Sequence, residues 1–257
     1  VSVGERAGAG SRVLELEQER FLLNGRSDRR KFPWHVPVGI TGPGMAKPRF
    51  FLMKSRRLAI TPLQRGSLKR GDSWVKLNPG QSGFYRVGYD AGLVAKLRQG
   101  LTSPTLSVTD RLGVVDDAWA LARAGWMKTS DALEMLERLR GETEYIVWTV
   151  LAGALGQAEI LARDARSRES LECFGRFLFQ PIARRMGWRP RPRETHLDVF
   201  LRSLVISGLG HCGDPSTVQE SRRRFRAFLA KGELDPNVRH AVYATVAAHG
   251  GGGEFEK

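Results

Sequence analysis

Five histidines, two cysteines and a few close carboxylate pairs are the residues of this chain with chemistry to offer. A zinc hydrolase of the HExxH type needs two imidazoles four residues apart on one helix face, so that both reach one metal. It also needs a Glu after the first His as general base. His35, His196, His211, His240 and His249 contain no pair four apart, and none precedes a Glu. Each reads as a surface or hydrogen-bonded residue. No catalytic, cofactor-binding or metal-ligating residue is assigned to this chain.

Nucleophilic patterns are equally thin. Gly80-Gln81-Ser82-Gly83-Phe84 comes close to a nucleophile elbow, but its last glycine is Phe84 and a turn between strands is the better reading. Cys173 sits in the apolar run Leu171–Leu178 and reads as core. Cys212 lies at a helix end beside His211, with a reactive thiol as the minor alternative. Gly208-Leu209-Gly210-His211-Cys212-Gly213 fits GxGxxG, yet that fingerprint requires a strand before it. Here Leu197, Leu201, Leu204, Val205 and Leu209 recur at helical spacing, so the preceding element is a helix. Asp116/Asp117 and Glu142/Glu144 are close carboxylates. Neighbours on a helix diverge by about 100°, so they read as capping or solvated groups rather than an acid–base pair.

The elements that carry these residues change period once. Up to Asp90 the period is that of strands: Trp34, Val36, Val38 and Ile40 share one parity, and Leu14 and Leu16 face away from Glu15, Glu17 and Glu19. Phe50–Met53, Leu58–Ile60, Trp74–Leu77 and Phe84–Tyr89 are further strand segments. They are separated by turn-forming clusters at Asn24–Asp28, Gly42–Gly44, Arg65–Asp72 and Asn78–Gly83. Short strands at this spacing predict a small antiparallel β-sandwich over residues 1–90. From 91 to 257 the period is helical, predicting six to eight helices of roughly 10–20 residues, a helical-hairpin array of HEAT or armadillo type without a clean repeat. Ser107–Asp110 resembles a capping box. Gly125 stops the helix that follows, Ser130 and Thr143 are expected to start the next two, and Asp214-Pro215 and Asp235-Pro236 open two later ones. Gly232 and Gly250 stand where terminal glycines belong.

The chain has 257 residues, with 41 Lys and Arg against 27 Asp and Glu, a formal net charge of +14. The basic residues form four clusters, Arg26–Lys31, Lys54–Arg57, Arg184–Arg193 and Arg222–Arg226, none interleaved with aromatics for stacking bases. A solvated basic surface is therefore preferred to a specific nucleic-acid site. Two cysteines give no disulfide framework, and a reduced, cytoplasmic setting is the plain reading. No run approaches the roughly 18 apolar residues of a membrane span, so no membrane partner is expected.

Two segments carry a family resemblance: Trp74–Asp90 (WVKLNPGQSGFYRVGYD) and Asp110–Gly125 (DRLGVVDDAWALARAG). They resemble the M1 zinc aminopeptidases of the puromycin-sensitive branch, in which such a strand ends a β-sandwich and such a helix opens a helical C-terminal domain. Glu142–Trp148 (ETEYIVW), Arg184–Pro192 (RRMGWRPRP), His196–Leu209 (HLDVFLRSLVISGL) and Glu220–Phe225 (ESRRRF) extend the resemblance, as do Gln18–Leu22 and Phe51–Ser55 upstream. Gly88 departs from it, standing where Asn or Gln is common.

The resemblance implies that this is a non-catalytic C-terminal region, with the zinc held in a catalytic domain preceding Val1 and more helices after Lys257. It implies packing on that catalytic domain and a wall of the chamber that holds the peptide substrate. The alternative is a stand-alone basic helical adaptor binding an acidic protein or RNA.

Overall fold

The strand period gives way to the helix period at Asp90, and the backbone changes with it. A computed structural model describes residues 1–8, 11–26, 33–60 and 73–251. The expected turn at Arg65–Asp72 and most of the basic cluster Arg26–Lys31 lie outside the described residues, as do residues 252–257. Among the described residues seven strands are followed by eight α-helices: β1 (Ser2–Gly8), β2 (Ser11–Glu17), β3 (Val36–Thr41), β4 (Arg49–Met53), β5 (Arg57–Ile60), β6 (Lys76–Leu77) and β7 (Gly88–Tyr89), then α1 (Ala91–Gly100), α2 (Val108–Arg123), α3 (Thr129–Arg138), α4 (Tyr145–Leu161), α5 (Ala165–Met186), α6 (His196–His211), α7 (Pro215–Lys231) and α8 (Pro236–His249). The order is β then α. The chain separates into two compact units, Val1–Leu139 and Arg140–Lys257.

In the first unit the strands form two sheets, one ordered β5-β2-β1-β7 and one ordered β4-β3-β6. Alternation decides which side chains are buried. Val3, Leu14, Leu16 and Ile60 from one sheet and Val38, Ile40, Met53 and Leu77 from the other enter a single apolar cluster with Val75, Val87 and Leu93. Such side chains contribute about 1.5–3 kcal/mol each on burial. The first sheet is mixed rather than antiparallel, because β7 returns beside β1 in parallel with Ser2 opposite Gly88 and Val3 opposite Tyr89. Two expected strands are also shorter than their apolar patterns. Trp74 precedes β6, and Phe84 lies outside β7 with its ring fully exposed. Trp34 shares the parity of Val36 but stops short of β3; Gln18 instead clamps its backbone, donating to Trp34 O and accepting from Trp34 N, both at 2.9 Å.

Helix starts follow the capping residues. Asp90, Ser107, Asp164, Thr195, Asp214 and Asp235 are N-caps whose side chains accept a backbone N–H from the first turn, satisfying donors that have no partner within the helix. Two starts differ from expectation. Helix α3 begins at Thr129 after Lys128, with no side-chain cap, so Ser130 lies inside it. Helix α4 begins at Tyr145 because the Glu142 carboxylate takes the N–H groups of Thr143 and Glu144 at 2.7 and 3.0 Å, holding those two residues outside the helix. At the C-terminal ends, Gly232 is left-handed, φ 73°, as its place predicts, whereas Gly250 is extended, φ −75°.

In the second unit α6 packs against α4, α5 and α8. The longest helix, α5, runs 22 residues with Pro181 inside it. Proline has no N–H to bond the carbonyl four residues earlier. Here Arg140 replaces it: its Nε donates to Phe177 O at 2.9 Å while the guanidinium stacks 3.8 Å above the Phe177 ring.

Candidate functional site: a polar junction on the second helix

The two most specific sequence segments meet inside the first unit. The turn after β6 is held by Asn78, which is buried and left-handed, φ 55°. Asparagine tolerates that region better than most residues. Its side chain closes the turn from within: Nδ2 donates to Gln81 Oε1 at 2.8 Å and Gly83 O at 2.9 Å, and Oδ1 accepts from Gly83 N at 2.7 Å. Gly80 follows at φ 65° and donates its N–H to Asp110 Oδ1 at 2.8 Å. The Gln81 side chain lies directly on the helix at Gly113, in the space a Cβ would take.

Asp110 is the hub. Ser107 caps α2 by accepting Asp110 N–H at 3.1 Å and donates its hydroxyl to Asp110 Oδ2 at 2.7 Å. The other carboxylate oxygen is then free to turn toward the strands. There it faces Lys76 Nζ at 3.7 Å, a lysine that is itself buried and donates to Leu77 O at 2.5 Å and Asn78 O at 3.0 Å. Burial pushes the Lys76 ammonium below its ordinary pKa, and Asp110 and Asp117 oppose that fall.

Nearly two helical turns further on, Arg86 Nη1 donates to Asp116 Oδ2 at 2.6 Å and Asp117 Oδ1 at 3.1 Å, and Val87 N donates to Asp117 Oδ2 at 3.0 Å. These carboxylates read in the sequence as capping or solvated groups; Asp116 is half exposed, and it is Asp117 that departs from that reading. A guanidinium placed between them is reached by both, and Asp117 is buried. Tyr89 completes the junction by accepting Leu77 N–H on its hydroxyl at 2.9 Å, and burial raises its pKa well above the ordinary value.

Each of these carboxylates is engaged by a backbone N–H or a cation, and the Ser107 hydroxyl beside Asp110 is spent on capping α2. The arrangement fixes β6, β7 and the turn between them onto α2. It also stores a titration. Burial raises the Asp117 pKa to about 6 from 3.8, against the opposing Val87 N–H, Arg86 and Lys76. A carboxylate with a raised folded pKa binds its proton more tightly when folded, so its contribution to stability rises as pH falls from about 6 toward 3.8. Chemical denaturation should therefore show the chain gaining about 1 kcal/mol from this group between pH 7 and 5, and about 3 kcal/mol in all once the pH is below 3.8. Asp117→Asn should flatten that portion of the profile. An unchanged slope in the Asn variant would place the titration elsewhere.

The remaining sequence candidates stand apart from the junction. Ser82 donates to Pro79 O at 3.2 Å within the turn. Cys173 is exposed, not core: it lies on the outer side of α5 with Arg176 Nη2 2.9 Å from its sulfur. Cys212 is buried, and burial pushes its thiol up to about 12, which makes it inert rather than reactive. His211 pairs with Glu159, which raises the imidazole pKa. His249 bonds Gly210 O at 2.7 Å, and His35, His196 and His240 are exposed.

The GxGxxG glycines serve helix packing. A Cβ on Gly208 would sit 2.7 Å from the Phe179 ring, and one on Gly210 would overlap the Thr245 hydroxyl. Glu142 and Glu144 lie just before α4: Glu144 is the N-cap residue, without a side-chain cap bond, and Glu142 accepts the N–H groups of Thr143 and Glu144. Among the described residues no group of three or more His, Cys, Asp or Glu side chains is placed to hold a metal ion, and no helix is long and apolar enough to cross a membrane. In the sequence the junction residues stand only as parts of motifs; the signal for their meeting is Lys76 and Asn78 immediately before the Pro79-Gly80 turn, together with Asp110 at a helix start.

The model of the ERAP1-like C-terminal domain matches residues 74–257, a span that contains the whole junction. Over 242 residues the chain is 35% identical to Aminopeptidase M1-A of Oryza sativa subsp. japonica, covering 91% of this chain and 27% of that protein. It is 34% identical to Aminopeptidase M1 of Arabidopsis thaliana, covering 91% of this chain and 28% of that protein. With the Puromycin-sensitive aminopeptidase of Caenorhabditis elegans it shares 29% identity over 100% of this chain and 27% of that protein. This chain belongs to the family of ERAP1-like C-terminal domains, the C-terminal portion of M1 aminopeptidases. It spans little more than a quarter of the length of these curated relatives.

Proposed function

We propose that this chain is the non-catalytic C-terminal region of a cytoplasmic M1-type zinc aminopeptidase that removes N-terminal residues from peptides. In this reading residues 1–90 form a small β-sandwich, and residues 91–257 form a HEAT- or armadillo-like array of helical hairpins. Together they pack on the catalytic domain and wall the chamber that holds the peptide. Zinc belongs to the catalytic domain, where it supplies an activated water. The observation that carries the proposal is the family match over residues 74–257, joined to relatives named as aminopeptidases that align with nearly all of this chain. The junction supports it as architecture. Its ionisable groups are consumed in bonding strands to a helix, as suits a scaffold.

The test is chemical silence followed by rescue. Purified residues 1–257 should bind no stoichiometric zinc and release nothing from an aminoacyl coumarin substrate. Mixed with a separately expressed HExxH-bearing portion of an M1 aminopeptidase of this branch, the chain should raise that portion's turnover. Chelator-sensitive hydrolysis by the chain alone, or no effect on the partner portion, would count against the proposal.

A further inference from the structure

The net charge is unevenly placed. Between Asp28 and Asp72 the sequence carries eleven Lys and Arg and no Asp or Glu, which accounts for most of the +14. This acid-free stretch contains β3, β4 and β5 and lies outside the part matched by the family model. Strand β4 is the outer strand of its sheet, paired with β3 on one side only among the described residues.

Its two outward side chains are apolar and open to solvent: Phe50 is 60% exposed and Leu52 51%. They are not loosely held. Opposite them on β3 stand Gly39 and Pro37, and a Cβ on Gly39 would sit 2.7 Å from both the Phe50 ring and Pro79, so the ring rests on the glycine backbone. Cations stand at both ends of the strand: Lys47 and Arg49 at its start, Lys54 at its end, all exposed. Glu17 answers Arg56 and Arg57, but no ion pair joins Lys47, Arg49 or Lys54 to an acid among the described residues.

An open edge strand is a template for main-chain pairing, and natural proteins discourage that with lysines at the edge. Those cations oppose pairing with a second copy of the same strand, since β4 would meet its own charges. They favour a strand of opposite sign. We propose that β4 is a docking edge for an extended acidic polypeptide segment, which adds as a fourth strand. Its main chain would bond the open side of residues 49–53, alternate apolar side chains would cover Phe50 and Leu52, and its carboxylates would face Lys47, Arg49 and Lys54. The aliphatic neighbours Pro37 and Leu52 suit apolar side chains better than stacked bases, and this decides for polypeptide over nucleic acid.

The test uses residues 1–257, a fluorescent heptapeptide of alternating Glu and Val, its Lys counterpart and a uridine oligonucleotide. The Glu peptide should bind saturably, the Lys peptide should not, and hydrogen exchange should slow at the amides of 49–53. The double variant Lys47→Glu/Lys54→Glu should weaken the Glu peptide by about tenfold or more, and Phe50→Ser should weaken it without changing its salt dependence. The proposal is overturned if the Glu peptide does not bind, if protection falls outside β4, if the charge-reversed variant binds equally, or if the oligonucleotide displaces the peptide from the same edge.

Discussion

Replacing Asp110 with alanine is expected to destabilise the first unit by about 3–5 kcal/mol, because it strands a buried lysine. The side chain accepts Gly80 N–H and the Ser107 hydroxyl and faces the Lys76 ammonium. Truncation removes the acceptor of the Ser107 hydroxyl, orphans a turn amide and leaves a desolvated cation bonded to the carbonyls of Leu77 and Asn78 with Asp117 as its remaining counter-charge. Urea unfolding should show the loss as a lower midpoint. Asp110→Asn keeps an acceptor for Gly80 but not the counter-charge, and should fall between. Adding Lys76→Met to the alanine variant should recover part of the loss, since the unpaired charge is then gone. If the alanine variant lost less than about 1 kcal/mol, or Lys76→Met made it worse, the hub role of Asp110 would be wrong.

The second large effect is expected at Trp148, which is fully buried in the other unit. Its ring lies 5.4 Å from that of Phe179, and its indole N–H donates to Glu142 O at 3.0 Å. Trp148→Ala should cost about 3–5 kcal/mol through cavity formation and the lost ring contact. It also removes a donor to Glu142 O, in the segment that sets the start of α4. Trp148→Phe should retain more than half of that stability. Hydrogen exchange in α4 and α5 would report the loss, and protection unchanged in the alanine variant would refute it.

Much of the fold was legible because caps and periodicity are local. Asp90, Ser107, Asp214 and Asp235 act on amides within three residues, so their helices start where the residue types say. Strand edges were less legible. Trp34, Trp74 and Phe84 have strand-like composition, but pairing depends on a partner strand that no local pattern specifies, and each lies outside the ladders. Cys173 was misread for a related reason: an apolar run on a helix contains positions on every face, and position 173 points outward.

The junction shows the same limit. Asp116 and Asp117 look like solvated neighbours until Arg86 is brought between them, and the buried state of Asp117 follows from the chain folding over it.

The sequence by itself determined the family, the order of strands before helices, the helix starts and the lack of an HExxH pair, since all of these rest on residue identity and short spacing. Only the tertiary structure decided that β7 runs parallel to β1, that Asp110 answers Lys76 across the turn, and that the GxGxxG glycines admit Phe179 and Thr245 rather than a phosphate. The physical reason is distance along the chain. Bonds between residues thirty or more apart are chosen by burial and by the need to pair every buried polar group, and that choice is made by the whole packed unit.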